Sequence, residues 1–414
     1  MKNRPLQVIL QHTLLKVPIS ERKSFMKFRF GIIGVGSMGR NHVESSIATM
    51  PDCEVTAICD TDPEALARFK DHPAKLFDTD DAFFAGAKDL VDAIIIATPH
   101  YDHVPLAIRA IELGKHVVVE KPVAVQKSEA LRLNEVIARH PELKIAAMFC
   151  QRCVPAHRKI KELIDSGEMG EIRRVNWIIT NWFRTQAYYD SGSWRASWRG
   201  EGGGVLLNQC PHQLDLIQWL CGMPVKVNAH MSFGKYHNIE VEDDVTAYME
   251  YPNGATGVFI ASTGEAPGTN RLEITAERGK LVYENGVINY TRNEVPMSEF
   301  CKTTSQRFAT PPVWNVTIPA SPSNNYMHRD ILTNLKNAVL NGEPLIAQAV
   351  EGVNGLELGN AMLLSHLEDR TVELPIDAAL FDEHLNKLIA SSTYKKEVSS
   401  VKDTNEFGGS FGVK

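Results

Sequence analysis

The chain has 414 residues, of which 43% are hydrophobic and 23% charged, so it is not a disordered protein and is long enough for two or three domains. Lys plus Arg number 44 against 50 for Asp plus Glu, and a net charge of −6 argues against nucleic acid or an anionic membrane as the main partner. No apolar stretch approaches the roughly 20 residues of a membrane span, and the seven cysteines, with Cys150 and Cys153 forming one CxxC, suit a reduced cytoplasmic protein with no metal site.

Within residues 1–25, Leu6–Leu15 is mildly apolar but interrupted by Gln7, Gln11 and His12, and the segment reads as a disordered or non-native extension ahead of a start at Met26. From there short apolar runs alternate with helical spacing. Strands are expected at Phe28–Ile33, Glu54–Cys59, Asp92–Ala97, His116–Glu120 and Lys144–Phe149, with helices over Met38–Met50, Pro63–Asp71, Val104–Leu113 and Lys127–Arg139. Nearly continuous runs such as Ile94-Ile-Ile96 and Val117-Val-Val119 suit strands covered on both faces, so residues 26–149 predict a doubly wound parallel α/β domain.

Beyond Cys150 the rhythm changes. A helix over Val154–Ser166 leads to a strand at Glu171–Thr180, an aromatic, Gly-rich loop and a helix from Gly204 to Cys221. Strands at Lys226–Ser232, Asp244–Tyr251, Ala255–Ser262, Arg271–Ala276 and Lys280–Glu284 then follow without helices between them. Helices return at Asn325–Asn341 and Gln348–Glu368. Residues 150–375 thus predict an α+β domain with a large open, mostly antiparallel sheet and helices on one face. A C-terminal helix is expected within 376–396 and a mobile tail over 397–414. The uncovered sheet face predicts a homodimer or homotetramer joined through it.

Five stretches carry candidate chemistry. Gly34-Val-Gly36-Ser37-Met38-Gly39 follows a strand and opens a helix: a tight turn, a close backbone approach to a diphosphate, and close helix packing. Asp60 ends the next strand about twenty residues on, where an acid accepts from ribose hydroxyls and repels a 2′-phosphate, favouring NAD over NADP. Thr98-Pro99-His100-Tyr-Asp-His103 lies at the carboxyl edge of the sheet and reads equally as a ligand loop or as a stop with His103 packing in the next helix. Glu120-Lys121-Pro122 reaches the same edge, where a lysine steadies a substrate oxygen. In Gly202-Gly-Gly-Val-Leu-Leu-Asn208-Gln-Cys-Pro-His212-Gln-Leu-Asp215, Asn208 and His212 stand four apart on one helical face, and Asp215 is near enough to orient the imidazole of a proton-accepting His212. The Asn181–Arg199 segment holds Trp182, Arg184, Tyr188, Trp194 and Arg195, which form either a wall for a sugar or an arm against a neighbouring subunit.

Together, in this order and spacing, Gly34–Gly39, Thr98-Pro99 with His103, Glu120-Lys121-Pro122, Trp194-Arg195 and Gly202–His212 resemble the glucose–fructose oxidoreductase/inositol dehydrogenase (Gfo/Idh/MocA) family over about Phe28 to Pro375. The resemblance implies a Rossmann domain followed by a substrate domain, a nicotinamide cofactor, and a sugar or cyclitol substrate. It implies that Lys121 contacts the substrate hydroxyl and that His212 is the general acid/base. Asn208 and Cys210 depart from the Asp and Gly usual at these positions, which excludes a carboxylate relay through position 208. An NAD-dependent dehydrogenase of a secondary alcohol in a sugar, glycoside or cyclitol is therefore expected. The alternatives are a glycosidase that oxidises its sugar transiently with NAD and a non-enzymatic sugar or cofactor sensor.

Overall fold

The computed structural model describes residues 27–321 and 327–394, so the expectations for the leader and for the 397–414 tail fall outside the described residues. The first sheet contains β1 (Phe28–Ile33), β2 (Cys53–Cys59), β3 (Lys75–Phe77), β4 (Ala93–Ile96), β5 (His116–Val119) and β6 (Ile145–Ala147), in the order β3-β2-β1-β4-β5-β6. Every pairing is parallel. β4 and β5 are buried along their whole length, which is why their sequences show no polar alternation. Strand order reverses between β1 and β4, and that reversal opens a crevice at the carboxyl ends of the strands.

The helix expected over Met38–Met50 is divided. An α-helix spans Ser37–Asn41, a π turn His42–Ser46, and a 3₁₀ turn Ile47–Thr49. The π turn carries His42, fully buried, to the carboxylate of Glu120.

The second sheet has nine strands in the order β14-β13-β12-β11-β7-β10-β9-β8-β15. They are β7 (Ile172–Ile179), β8 (Lys226–Phe233), β9 (Glu242–Glu250), β10 (Thr256–Ser262), β11 (Asn270–Ala276), β12 (Gly279–Glu284), β13 (Val287–Asn293), β14 (Val313–Ile318) and β15 (Val372–Glu373). Its pairings are antiparallel except β7 with β10. One face is dry: Ala229, Ala247, Phe259, Trp177 and Leu272 form a cross-strand row, and the helix Gly352–Leu367 packs on β8 and against the helix Pro211–Cys221. On the other face the row Asn228, Tyr248, Val258, Asn176 and Glu273 is half-buried to exposed.

The domains are tied by charge as well as packing. Lys127, at the start of the Rossmann helix Lys127–Arg139, places its buried ammonium 2.8 Å from Glu357 and its N–H 3.0 Å from the Asn360 side chain. The helix Met327–Asn341 returns to the first sheet and packs beside β5 and β6.

Candidate active site

Each glycine of the first loop has its own reason to be there. Gly34 has φ +87°, and a Cβ would lie 2.7 Å from the Ala97 carbonyl oxygen. At Gly39 a Cβ would lie 1.8 Å from the Gly34 carbonyl oxygen, so helix and strand touch only because it is absent. A Cβ on Gly36 would meet no protein atom within 4 Å. The fold does not need that glycine, whereas a diphosphate crossing the loop does. Ser37 and Met38 open the following helix, which has no side-chain cap. Asp60 lies beneath the loop, its Oδ2 accepting from the Val35 N–H at 2.7 Å and its Oδ1 from the Asp62 N–H at 2.8 Å. A cleft lined by Asp60, Thr61, Pro63, Leu66 and Leu76 opens beside it. These residues fit a dinucleotide: Gly36 leaves open space at the loop, and Asp60 lines the cleft beside it.

At the neighbouring strand ends, the buried Thr98 hydroxyl has no partner among the described residues. Pro99 turns the chain into His100, whose Nδ1 contacts the Glu201 carbonyl oxygen at 3.1 Å. His103 is 1% exposed, and its two ring nitrogens face the carbonyl oxygens of Pro122 (2.7 Å) and Thr98 (2.9 Å). Its imidazole therefore joins two strand-end loops and presents no free edge to a cofactor. Glu120 likewise turns inward, 2.8 Å from His42 Nε2. Burial pushes its carboxyl up, but the His42 bond and the charges of His42, His328 and Lys121 outweigh burial and hold it at about 2. The Lys121–Pro122 peptide is cis.

Lys121 extends from this edge into the second domain, where its Nζ donates to the Asn208 carbonyl oxygen at 2.9 Å. Asn208 and His212 do not share one continuous α-helix: a π turn spans Val205–Gln209, and the α-helix begins afresh at Pro211. Pro211 has no N–H with which to continue the ladder, so the turn widens before it. The turn is held from outside by Glu242 of β9, which accepts from the N–H groups of Gly204 (2.8 Å) and Leu206 (3.0 Å). Burial pushes that carboxyl up to about 7 against the pull of these two donors. The Asn208 amide N–H₂ donates to the buried carboxylate of Glu201, which also accepts from the Ala196 N–H at 2.6 Å. The Asn208 side-chain oxygen is left to accept from the Tyr188 hydroxyl at 3.4 Å.

His212 is 2% exposed; its Nε2 lies 4.0 Å from Cys150 Sγ, and its Nδ1 has no partner among the described residues. Burial, with Lys121 and His328 adding to it, pushes the imidazole well below its ordinary value, so it stands neutral and able to accept a proton. Burial keeps the Cys150 thiol protonated, with the Glu120 charge acting in the same direction. Asp215 does not orient His212. Its two oxygens take Arg152 Nε at 2.8 Å and Nη2 at 2.6 Å, a buried fork-to-fork pair that fixes the helix instead.

In the aromatic segment, Trp182, Tyr188 and Trp194 are half-buried, and a short helix over Gln186–Asp190 interrupts the expected loop. Arg195 Nη1 donates to the Tyr188 hydroxyl at 2.9 Å, and its guanidinium lies over the Tyr188 and Trp194 rings. Gln209 Nε2 also donates to Tyr188 at 3.1 Å, which directs the tyrosine's own proton toward Asn208. Lys121, Asn208, Tyr188 and Arg195 thereby form one linked polar wall. Glu201, Glu242, His42 and Cys150 escaped sequence reading, although Glu201, a charge immediately before a glycine run, carried a usable signal.

Comparison with known proteins assigns both parts of the chain to one family. Residues 28–146 match the oxidoreductase family NAD-binding Rossmann fold, and residues 157–282 match the GFO/IDH/MocA C-terminal domain. An inositol 2-dehydrogenase from Corynebacterium glutamicum is 27% identical over 232 residues, covering 55% of this chain and 64% of the relative. A glycosyl hydrolase family 109 protein from Shewanella baltica is 28% identical over 273 residues, 63% of this chain and 54% of that one. The chain thus spans less than two thirds of these relatives' lengths. The crystal structure of the WlbA dehydrogenase from Bordetella pertussis, in complex with NADH and UDP-GlcNAcA, superposes with a TM-score of 0.69 at 26% identity, covering 85% of this chain and all of that one. The chain belongs to the Gfo/Idh/MocA family of oxidoreductases, and its N-terminal part is that family's NAD-binding Rossmann fold.

Proposed function

We propose that the chain is an NAD-dependent oxidoreductase acting on a ring secondary alcohol of a sugar, glycoside or cyclitol. The observation that carries this reading is the bond from Lys121 Nζ to the Asn208 carbonyl oxygen, which brings an ammonium from a Rossmann strand end to the turn that leads into His212. NAD, held by Gly34, Gly36, Gly39 and Asp60, with Ser37, Met38, Thr98 and Pro99 around it, supplies the hydride acceptor. His212, neutral in its buried setting, takes the hydroxyl proton. Lys121 has two further N–H groups to steady the developing alkoxide, and Asn208 holds it in line. In the reductive direction His212 returns the proton while Lys121 holds the oxygen. Trp182, Tyr188 and Trp194 supply faces for the C–H surface of a ring.

A screen of sugars, glycosides and cyclitols with NAD and NADP, following absorbance of the reduced nicotinamide, tests the reading against a Lys121→Met control. Reduction by at least one polyol, faster with NAD and lost in the variant, is expected. Equal rates in the two proteins overturn it. The glycosyl hydrolase relative favours a second reading, a glycosidase with transient oxidation. That reading requires release of sugar without net formation of NADH.

Assembly follows from the open sheet face, where Tyr248 is 43% exposed and Ile178, Val258 and Ile260 are half-buried. The proposed homodimer or homotetramer covers this face. A monomer mass by light scattering at micromolar concentration removes the proposal. Among the described residues no helix is long and apolar enough to cross a membrane.

A further inference from the structure

We propose that Cys150 is a positioning residue for His212. Its thiol accepts from the His212 Nε2–H and donates to His328 Nε2, which leaves His212 Nδ1 as the nitrogen that takes the substrate proton. The proposal rests on the oxidoreductase reading above and assigns the residue that prepares its base.

Cys150 opens the 3₁₀ turn Cys150–Cys153 that follows β6. Two helices pack on this turn, Met327–Asn341 with His328 near its start and Pro211–Cys221 with His212 near its start. The thiol therefore meets two imidazoles at once, 3.7 Å from His328 Nε2 and 4.0 Å from His212 Nε2, and all three side chains are buried. The His42 ring, edge-on to that of His328 at 5.7 Å, braces the far imidazole.

A thiol carries one proton and can donate it to only one of the two rings. Burial, with the Glu120 charge adding to it, keeps the Cys150 thiol protonated. Burial also keeps both rings neutral, pushing His328 down to about 4 and His212 well below its ordinary value. The Glu120 charge opposes this in both rings without reversing it. Each ring thus has one N–H and one lone pair.

A thiol donating to His212 would move that ring's N–H to Nδ1, a buried atom with no partner among the described residues. An orphaned buried donor is costlier than an open acceptor, and such a ring would have no lone pair left for a proton. A thiol turned to the nearer ring, His328, removes both faults. His212 then keeps its N–H on Nε2 against sulfur and presents a bare Nδ1. In the oxidation the substrate O–H bond breaks and its proton forms the Nδ1–H bond, while the hydride leaves carbon for NAD. The imidazolium so formed keeps its Nε2–H on Cys150.

The test reads the tautomer in the intact protein labelled with ¹⁵N-histidine, by long-range ¹⁵N–¹H NMR at neutral pH. The His212 signals are assigned by their loss in His212→Gln or His212→Asn. The wild-type ring is expected to be the Nε2–H tautomer. Cys150→Ala is expected to shift part of it to Nδ1–H, and Cys150→Ser, which keeps an acceptor and a donor, to return it. On a polyol active in the screen, Cys150→Ala is expected to lower kcat at least about tenfold with KM little changed, and Cys150→Ser to recover most of that loss. The wild-type and serine spectra decide the matter if the alanine variant fails to fold. A wild-type Nδ1–H tautomer, or a tautomer and kcat unmoved by Cys150→Ala, overturns the proposal, and NADH formed from a polyol then leaves the oxidoreductase reading standing. A cysteine-dependent Nε2–H tautomer with no polyol oxidised keeps the thiol's hold on the ring and overturns the oxidoreductase reading.

Discussion

The Lys121 ammonium donates to the carbonyl oxygen of Asn208 at 2.9 Å, joining two positions 87 residues apart in the chain. This contact brings a lysine on a Rossmann strand end to the turn that precedes His212. Replacing Lys121 by Met keeps the stem's apolar packing and removes the donors. The expected loss in kcat is about a hundred- to ten-thousand-fold, with stability lowered by no more than about 1–3 kcal/mol for the orphaned carbonyl. Steady-state kinetics beside a urea titration separate the two effects.

Gly36 and Gly39 differ in what a methyl group would meet. Gly36→Ala is expected to fold with an unchanged melting temperature, because its Cβ reaches no protein atom, yet to bind NAD at least about tenfold more weakly. Gly39→Ala is expected to fail in folding, since its Cβ would overlap the Gly34 carbonyl oxygen. Calorimetry with and without NAD distinguishes them.

Glu201 and Asn208 form a buried carboxylate–amide pair in which the amide donates to the acid. Glu201→Ala leaves that amide and the Ala196 N–H without an acceptor, a cost of about 1–3 kcal/mol for each. Asn208→Asp sets two carboxylates against each other and is expected to destabilise the chain. Adding Glu201→Gln to Asn208→Asp is expected to restore most of the lost stability, which a double-mutant cycle by urea denaturation measures.

Stability is expected to fall as pH drops from about 6.5 to 4. Burial pushes His116, His157 and His328 down to about 4 each, so in this window the unfolded chain binds protons that the folded chain refuses. Glu242 acts oppositely. Raised to about 7, it binds a proton in the folded state between about 4.5 and 7, and its contribution is lost as pH rises through that range. Three histidines outweigh one glutamate, giving a slope of at most about 1.4 kcal/mol per pH unit for each net proton. Glu242→Gln is expected to steepen the decline, and thermal melts across pH 4 to 8 read it.

The Rossmann strands were legible because a strand buried on both faces must be written in continuous apolar residues, as Ile94–Ile96 and Val117–Val119 are. β3, at three residues, carried no such pattern, and β14, exposed along nearly all its length, lacks an apolar face to read. Within the site, the order of Gly34–Gly39, Lys121 and His212 was readable from spacing. The partners of those residues were not. Arg152 captures Asp215 from 63 residues away and Glu242 holds Gly204 from 38 residues away, and local periodicity contains neither distance. The break between Asn208 and His212 was signalled by Pro211, whose missing N–H forbids the continuous helix that four-residue spacing suggests.

The central claim is hydride transfer from a ring carbinol, and deuterium tests it most directly. A polyol found active in the screen is prepared with deuterium on the carbinol carbon and turned over with NAD, and the NADH is then isolated for mass spectrometry and NMR. The account predicts one deuterium on C4 of the nicotinamide ring and a rate that falls on Lys121→Met. NADH free of deuterium, or cleaved sugar with no NADH formed, would contradict it.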